Sequence, residues 1–198
     1  SVQDSGYAVN DLNATYASWT FRKKEKFFDI VTYSSDTTSG ARTISHNLGS
    51  TPAFIIVKGL NFSDAWYVYH ISTGVNKYLE LNLTGAGHAS TNFWGVTDST
   101  FTVDSFLNNN GATGKNYVAY LFAHDAGGFG DDGSESIIKC GSYNNSGSAW
   151  SVDLGFEPQW LLRKLSNGTG SWQLTDNMRG LLAENGAGTA YARLLKAE

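Results

Sequence analysis

The chain repeats itself, and the interval of that repeat limits its fold more than any other feature. The stretch ISHNLGSTPAFIIVK (44–58) returns as WSVDLGFEPQWLLRK (150–164). Leu48, Gly49, Pro52, Lys58 and Trp66 recur as Leu154, Gly155, Pro158, Lys164 and Trp172, each pair 106 residues apart (158 − 52 = 106). Upstream, FDIVTY (28–33) resembles IIKCGSY (137–143) across a shorter loop. Downstream, KYLELNL (77–83) aligns with AYARLLK (190–196) at an offset of 113 (190 − 77 = 113). TYASWTFR (15–22) matches NYVAYLFA (116–123), with Tyr16 and Phe21 in the places of Tyr117 and Phe122, 101 residues on (117 − 16 = 101). A fixed interval of this kind marks related structural units.

The period is out of phase with the 198 residues of the chain. One whole unit is expected over 24–125, followed by a Gly/Asp linker at 126–133. A second unit is expected in two pieces, 134–198 and 1–22. A sheet that lacks its last strand leaves N–H and C=O groups unpaired and a core face bare. The 134–198 piece therefore calls for a strand carrying Tyr16, Trp19 and Phe21. Three sources are open: residues 13–22 of the same chain, those of a neighbouring chain, or a further repeat in a longer array.

Composition points to the class of unit. Aromatic residues make up 14% of the chain, with six Trp, against 16% charged and 41% hydrophobic residues. Short runs rich in β-branched and aromatic residues recur between Gly, Ser and Asn turns: 27–33, 53–58, 65–71, 77–83, 100–105 and 116–123. Within 65–71 the period of two puts Trp66, Val68 and His70 on one face and Tyr67 and Tyr69 on the other. No sustained helical stripe occurs; the best helical stretch is the short 190–198. The fold class is all-β, two related antiparallel β-sandwiches of jelly-roll or lectin-like type.

Several functions are disfavoured. A net charge of −4 argues against gripping a nucleic-acid backbone. No apolar run is long enough to cross a bilayer as a helix, and no basic-then-apolar pattern of a signal peptide opens the chain. The one cysteine, Cys140, excludes an intramolecular disulfide and reads as a small buried hydrophobe.

Candidate sites follow from residue type. Gly49, Pro52, Gly155 and Pro158 read as turns entering strands. Trp66 and Trp172 read as core, as does Trp150 in the slot of Ile44. Asn47 and Asp153 suit local backbone hydrogen bonds. Phe93 and Trp94, with His88 nearby, fall in the loop-like HASTNFWGVTDS; exposed aromatics on a loop suit recognition of a glycan. Asp125, Asp131, Asp132 and Glu135 lie among glycines, where hard oxygen ligands could take Ca²⁺, though solvated linker is the simpler reading. Arg22 to Lys26 read as a hydrated basic linker. His46, His70, His88 and His124 lack zinc spacing. No nucleophile elbow, phosphate loop or HExxH occurs. No catalytic residue and no cofactor is therefore assigned.

The stretches SWTFRKKEKFFDIVTY, ISHNLGSTPAFIIVK, YVAYLFAHDAGGFG, SESIIKCGSY, VDLGFEPQWLLRK and DNMRG (176–180) carry a resemblance. Together they resemble a repeat domain of uncharacterised function found in large virion proteins of marine bacteriophages, including cyanophages, among them tail fibres and other structural proteins. The resemblance covers about 13–182 and is weakest over 72–99. It implies a non-enzymatic structural component of the virion surface, assembled in the bacterial cytoplasm through strand pairing with itself or other virion proteins. A bacterial surface glycan is the expected partner if the variable loops bind, and a polysaccharide-degrading enzyme ranks below both.

Overall fold

The computed structural model describes residues 12–144, 152–178 and 195–197. The chain is nearly all β. Nine strands fall before residue 123: β1 (Phe28–Ser34), β2 (Arg42–Ser45), β3 (Phe54–Gly59), β4 (Trp66–His70), β5 (Lys77–Glu80), β6 (His88–Ala89), β7 (Trp94–Val96), β8 (Thr100–Val103) and β9 (Asn116–Phe122). A 3₁₀ segment, Ser105–Gly111, joins the last two. Among the described residues three strands follow: β10 (Trp160–Arg163), β11 (Trp172–Asp176) and β12 (Leu195–Ala197).

These strands form three sheets: a six-stranded sheet in the order β1-β9-β3-β4-β5-β6, a three-stranded sheet β2-β8-β7, and a three-stranded sheet β10-β11-β12. Every strand pairing is antiparallel. β3 and β9 read as near-continuous apolar runs because both of their faces are covered. Ile55, Val57, Tyr117, Ala119 and Leu121 enter one core cluster, together with Ile44, Trp94, Phe101 and Val103 from β2-β8-β7. Phe54, Ile56, Tyr120 and Phe122 enter a second cluster on the opposite, outer face of the six-stranded sheet, and there they meet Leu162 and Trp172. The outer side of β2-β8-β7 is polar; Thr43 and Thr102, paired across β2 and β8, hydrogen bond at 3.0 Å.

The β10-β11 hairpin matches four of the five residue pairs of the β3-β4 hairpin in register. In the first, Phe54 faces His70, Ile55 faces Tyr69, Ile56 faces Val68 and Val57 faces Tyr67. In the second, Trp160 faces Asp176, Leu161 faces Thr175, Leu162 faces Leu174 and Arg163 faces Gln173. Each second partner lies 106 residues after the first (160 − 54 = 106; 176 − 70 = 106). Register is the property that one residue of slip would invert. Gly49 and Gly155 also share a left-handed backbone, with φ of 70° and 76°.

The structure departs from the sequence reading in three places. Residues 15–22 and 137–143 form no strand among the described residues. The strand expected to carry Tyr16, Trp19 and Phe21 is therefore not formed. The partner expected for it, β10, is only four residues long, which offers few hydrogen bonds to order it. Residues 195–197 are β12 and not helix, because Leu195 and Lys196 pair with Leu174 and Gln173. The third strands align at an offset of 116, not 113: Glu80 faces Tyr67 where Lys196 faces Gln173 (196 − 80 = 116). Trp150 and residues 190–194 lie outside the described residues.

Candidate functional site

The two copies of the hairpin differ in polarity by face. The positions that fill the first core, Ile55, Val57, Tyr67 and Tyr69, become Leu161, Arg163, Gln173 and Thr175. The positions on the outer face, Phe54, Ile56, Trp66 and Val68, become Trp160, Leu162, Trp172 and Leu174 and stay apolar. The second hairpin thus has one apolar face, and it lays that face on the outer face of the six-stranded sheet.

An open cavity of about 660 Å³ remains between them. Its wall holds several positions together with their counterparts: Phe54 with Trp160, Ile56 with Leu162, Trp66 with Trp172, and Tyr120 and Phe122 with Trp19 and Phe21. No charged side chain lines it. Such a wall excludes ions and favours apolar contact. Trp66 is half-buried at this wall, whereas Trp172 is buried. Polar bonds fasten one margin. Trp172 Nε1–H donates to the Glu80 carbonyl at 2.9 Å, Gly170 N–H to Thr84 O at 2.9 Å, and Gly87 N–H to Ser166 O at 3.0 Å. Lys164 Nζ reaches Thr84 O at 3.2 Å.

Phe93 and Trp94 are not loop aromatics at the surface. Each is only 3% exposed, and both belong to the inner core. Asn92, with φ of 53°, ends the loop, and Trp94 opens β7 against Val103. Phe93 stacks on Tyr78 at 4.4 Å and meets Trp94 edge-on at 5.1 Å. Neither side chain can stack on a sugar from there. His88 alone of the three is exposed. It stacks on Tyr78 at 5.0 Å, with Nε2 3.1 Å from Glu80 Oε2.

The acidic linker does not gather its carboxylates. Asp125 sits 3.6 Å from Lys139 Nζ. Asp132 Oδ1 accepts from Ser134 N–H and Oγ–H at 2.9 and 2.6 Å, and these bonds lower its pKa. Phe129 and Glu135 exchange backbone hydrogen bonds of 3.1 and 2.9 Å and close the loop as a small hairpin. Among the described residues no three His, Cys, Asp or Glu side chains are placed to hold a metal.

The repeated turn is organised by residues that the motif did not single out. Asp29, buried on β1, accepts from Asn47 N–H at 2.8 Å, from Ile30 N–H at 2.9 Å, and from Lys23 Nζ at 2.7 Å. Burial alone would raise its pKa; Lys23 and the two N–H groups outweigh it and hold the carboxyl below its ordinary value. Lys23 makes this bond with its side chain still 56% exposed. His46 Nδ1 accepts from Leu48 N–H at 3.2 Å. In the second unit Asp153 Oδ1 does similar work, accepting from Gly155 N–H at 2.8 Å. Nothing in a single sequence links Asp29 to Asn47, because the bond joins β1 to the loop after β2. Cys140 is half-buried, and burial pushes its thiol up to about 12, far from a reactive thiolate.

No curated protein and no solved structure matches the chain. Residues 2–192 match a family described as a domain of unknown function (DUF7483), and the chain belongs to that family.

Proposed function

We propose that the chain is a non-catalytic structural module of a phage tail fibre or other virion surface, built from two related units that join by strand pairing. In this reading the first unit is a β-sandwich, its six-stranded and three-stranded sheets enclosing one core. The second is a reduced copy that keeps the hairpin and one apolar face. The observation that carries the reading is the hairpin register retained across 106 residues (176 − 70 = 106). Duplication of a scaffold with its apolar face intact is how repeat proteins extend a rigid body, because neighbours bury what one unit cannot. The resemblance of the long motifs to those of virion proteins supports that location.

The test is immunogold electron microscopy. Antibodies raised against the chain are applied to purified phage particles encoded by the same genome. Gold on fibres or the particle surface is the expected result. Particles without label, with the antigen found only in the soluble lysate, would sink the virion reading.

A further inference from the structure

Among the described residues β10 pairs on one side only, with β11. Its counterpart β3 is paired on both sides, with β4 and β9. The free side of β10 is therefore the side on which β9 sits in the first unit. A strand edge of this kind is a template for pairing.

One residue of the stretch that matches β9, Phe21, already touches β10, while its ring also packs on Phe27, Phe28 and Phe122. The Phe21 ring is 6.0 Å from Trp160, as the Phe122 ring is 5.5 Å from Phe54. Trp19 and Phe21 line the cavity with Trp160 and Leu162. Ser18 and Thr20, between and before them, are exposed. The segment thus has one apolar face and one polar face, the same division that β10 and β11 carry.

We propose that residues 15–22 close onto the free edge of β10 in the same chain as an antiparallel fourth strand. The register is that of β3 and β9: Phe21 opposite Trp160, Thr20 opposite Leu161, Trp19 opposite Leu162, and Ser18 opposite Arg163. This rests on the repeat reading above and is independent of the virion location. The register brings the Ser18 hydroxyl to Arg163, whose buried Nε has no partner among the described residues. The tether and the existing Phe21–Trp160 contact favour the chain's own segment, since a tethered strand acts at a high effective concentration. The closed strand covers the edge at which a second copy could otherwise add.

Two measurements on the full chain test this. Hydrogen exchange on the unmodified protein should show the amides of 15–22 slowed on the order of 100-fold relative to an unstructured peptide. Exchange at the rate of a free peptide overturns the proposal. In a Cys140→Ser background, Thr20→Cys with Leu161→Cys should form a disulfide within one chain under mild oxidation. Ser18→Cys with Leu161→Cys, two residues out of register, should cross-link far more slowly. Equal rates for the two pairs overturn the register, and cross-links found only between chains overturn the occupant. Either result can fall out whether or not the gold label finds the particle, so the two readings fail separately.

Discussion

Asn108 is fully buried, yet its amide is matched on both sides. Nδ2 donates to Asp36 Oδ1 and Thr38 O, each at 2.9 Å; Oδ1 accepts from Asp36 N–H and Arg42 Nη1, each at 3.2 Å. The side chain clamps the 35–38 loop to the 3₁₀ segment. Asn108→Ala strands those groups, and urea unfolding should show a loss of roughly 2 kcal/mol. Two histidines set a pH dependence. Burial lowers the pKa of His46, and burial with the nearby His124 charge lowers that of His70. In the unfolded chain both protonate near 6.5; in the folded chain they resist. The unfolded state then binds more protons, so stability is fullest above pH 6.5 and falls as the pH drops below it. Melting temperatures between pH 7 and 5 should decline, and His70→Gln should flatten that decline. An unchanged slope in the variant would remove His70 from the explanation.

At the scale of elements, the second hairpin was legible because strands carry register in their sequence. A shared 106-residue offset in two adjacent strands implies a shared hairpin, and the hairpin has it. The third strand aligns three residues away from the sequence match, since the number of residues before it differs between the copies and no Gly, Pro or Trp anchors the match. β2, β6 and β7 are too short to show a period. Trp94 was misread for a related reason: Gly95 and polar neighbours look like loop, while burial is decided by β8 and Tyr69 across the core. The left-handed turn glycines were readable, and they make a matched test. A Cβ at Gly49 would meet only the Glu25 side chain at 3.5 Å, and one at Gly155 meets nothing within 4 Å. Space is not limiting at either, so the cost of alanine is backbone strain alone. Gly49→Ala and Gly155→Ala should each lose about 1 kcal/mol in denaturant unfolding. A neutral Gly155→Ala would mean that the second turn does not need its left-handed form.

At the scale of the molecule, the two faces of the β10-β11 hairpin differ in polarity. Arg163, Gln173 and Thr175 stand where β3 and β4 have Val57, Tyr67 and Tyr69. The remaining apolar face has one place to go, the outer face of the six-stranded sheet. That assignment was not legible in the sequence, because it follows from which side of each strand became polar and not from how apolar the strand is. Trp172 is the centre of the contact: 4% exposed, set against Phe28, Phe54, Val68, Leu79 and Phe122, with its indole N–H on Glu80 O. Trp172→Ala removes both the ring and the bond, at a scale of about 3–5 kcal/mol for a buried Trp. The inner core lies elsewhere and does not include it. Limited proteolysis of Trp172→Ala should therefore cut within 160–176 first and leave 28–122 resistant. Trp172→Phe keeps most of the ring and loses the hydrogen bond, so it should cost nearer 1 kcal/mol and keep the hairpin protected. If Trp172→Ala exposes both units together, the chain unfolds as one cooperative body, and the second unit is part of the first unit's stability instead of a cover laid upon it.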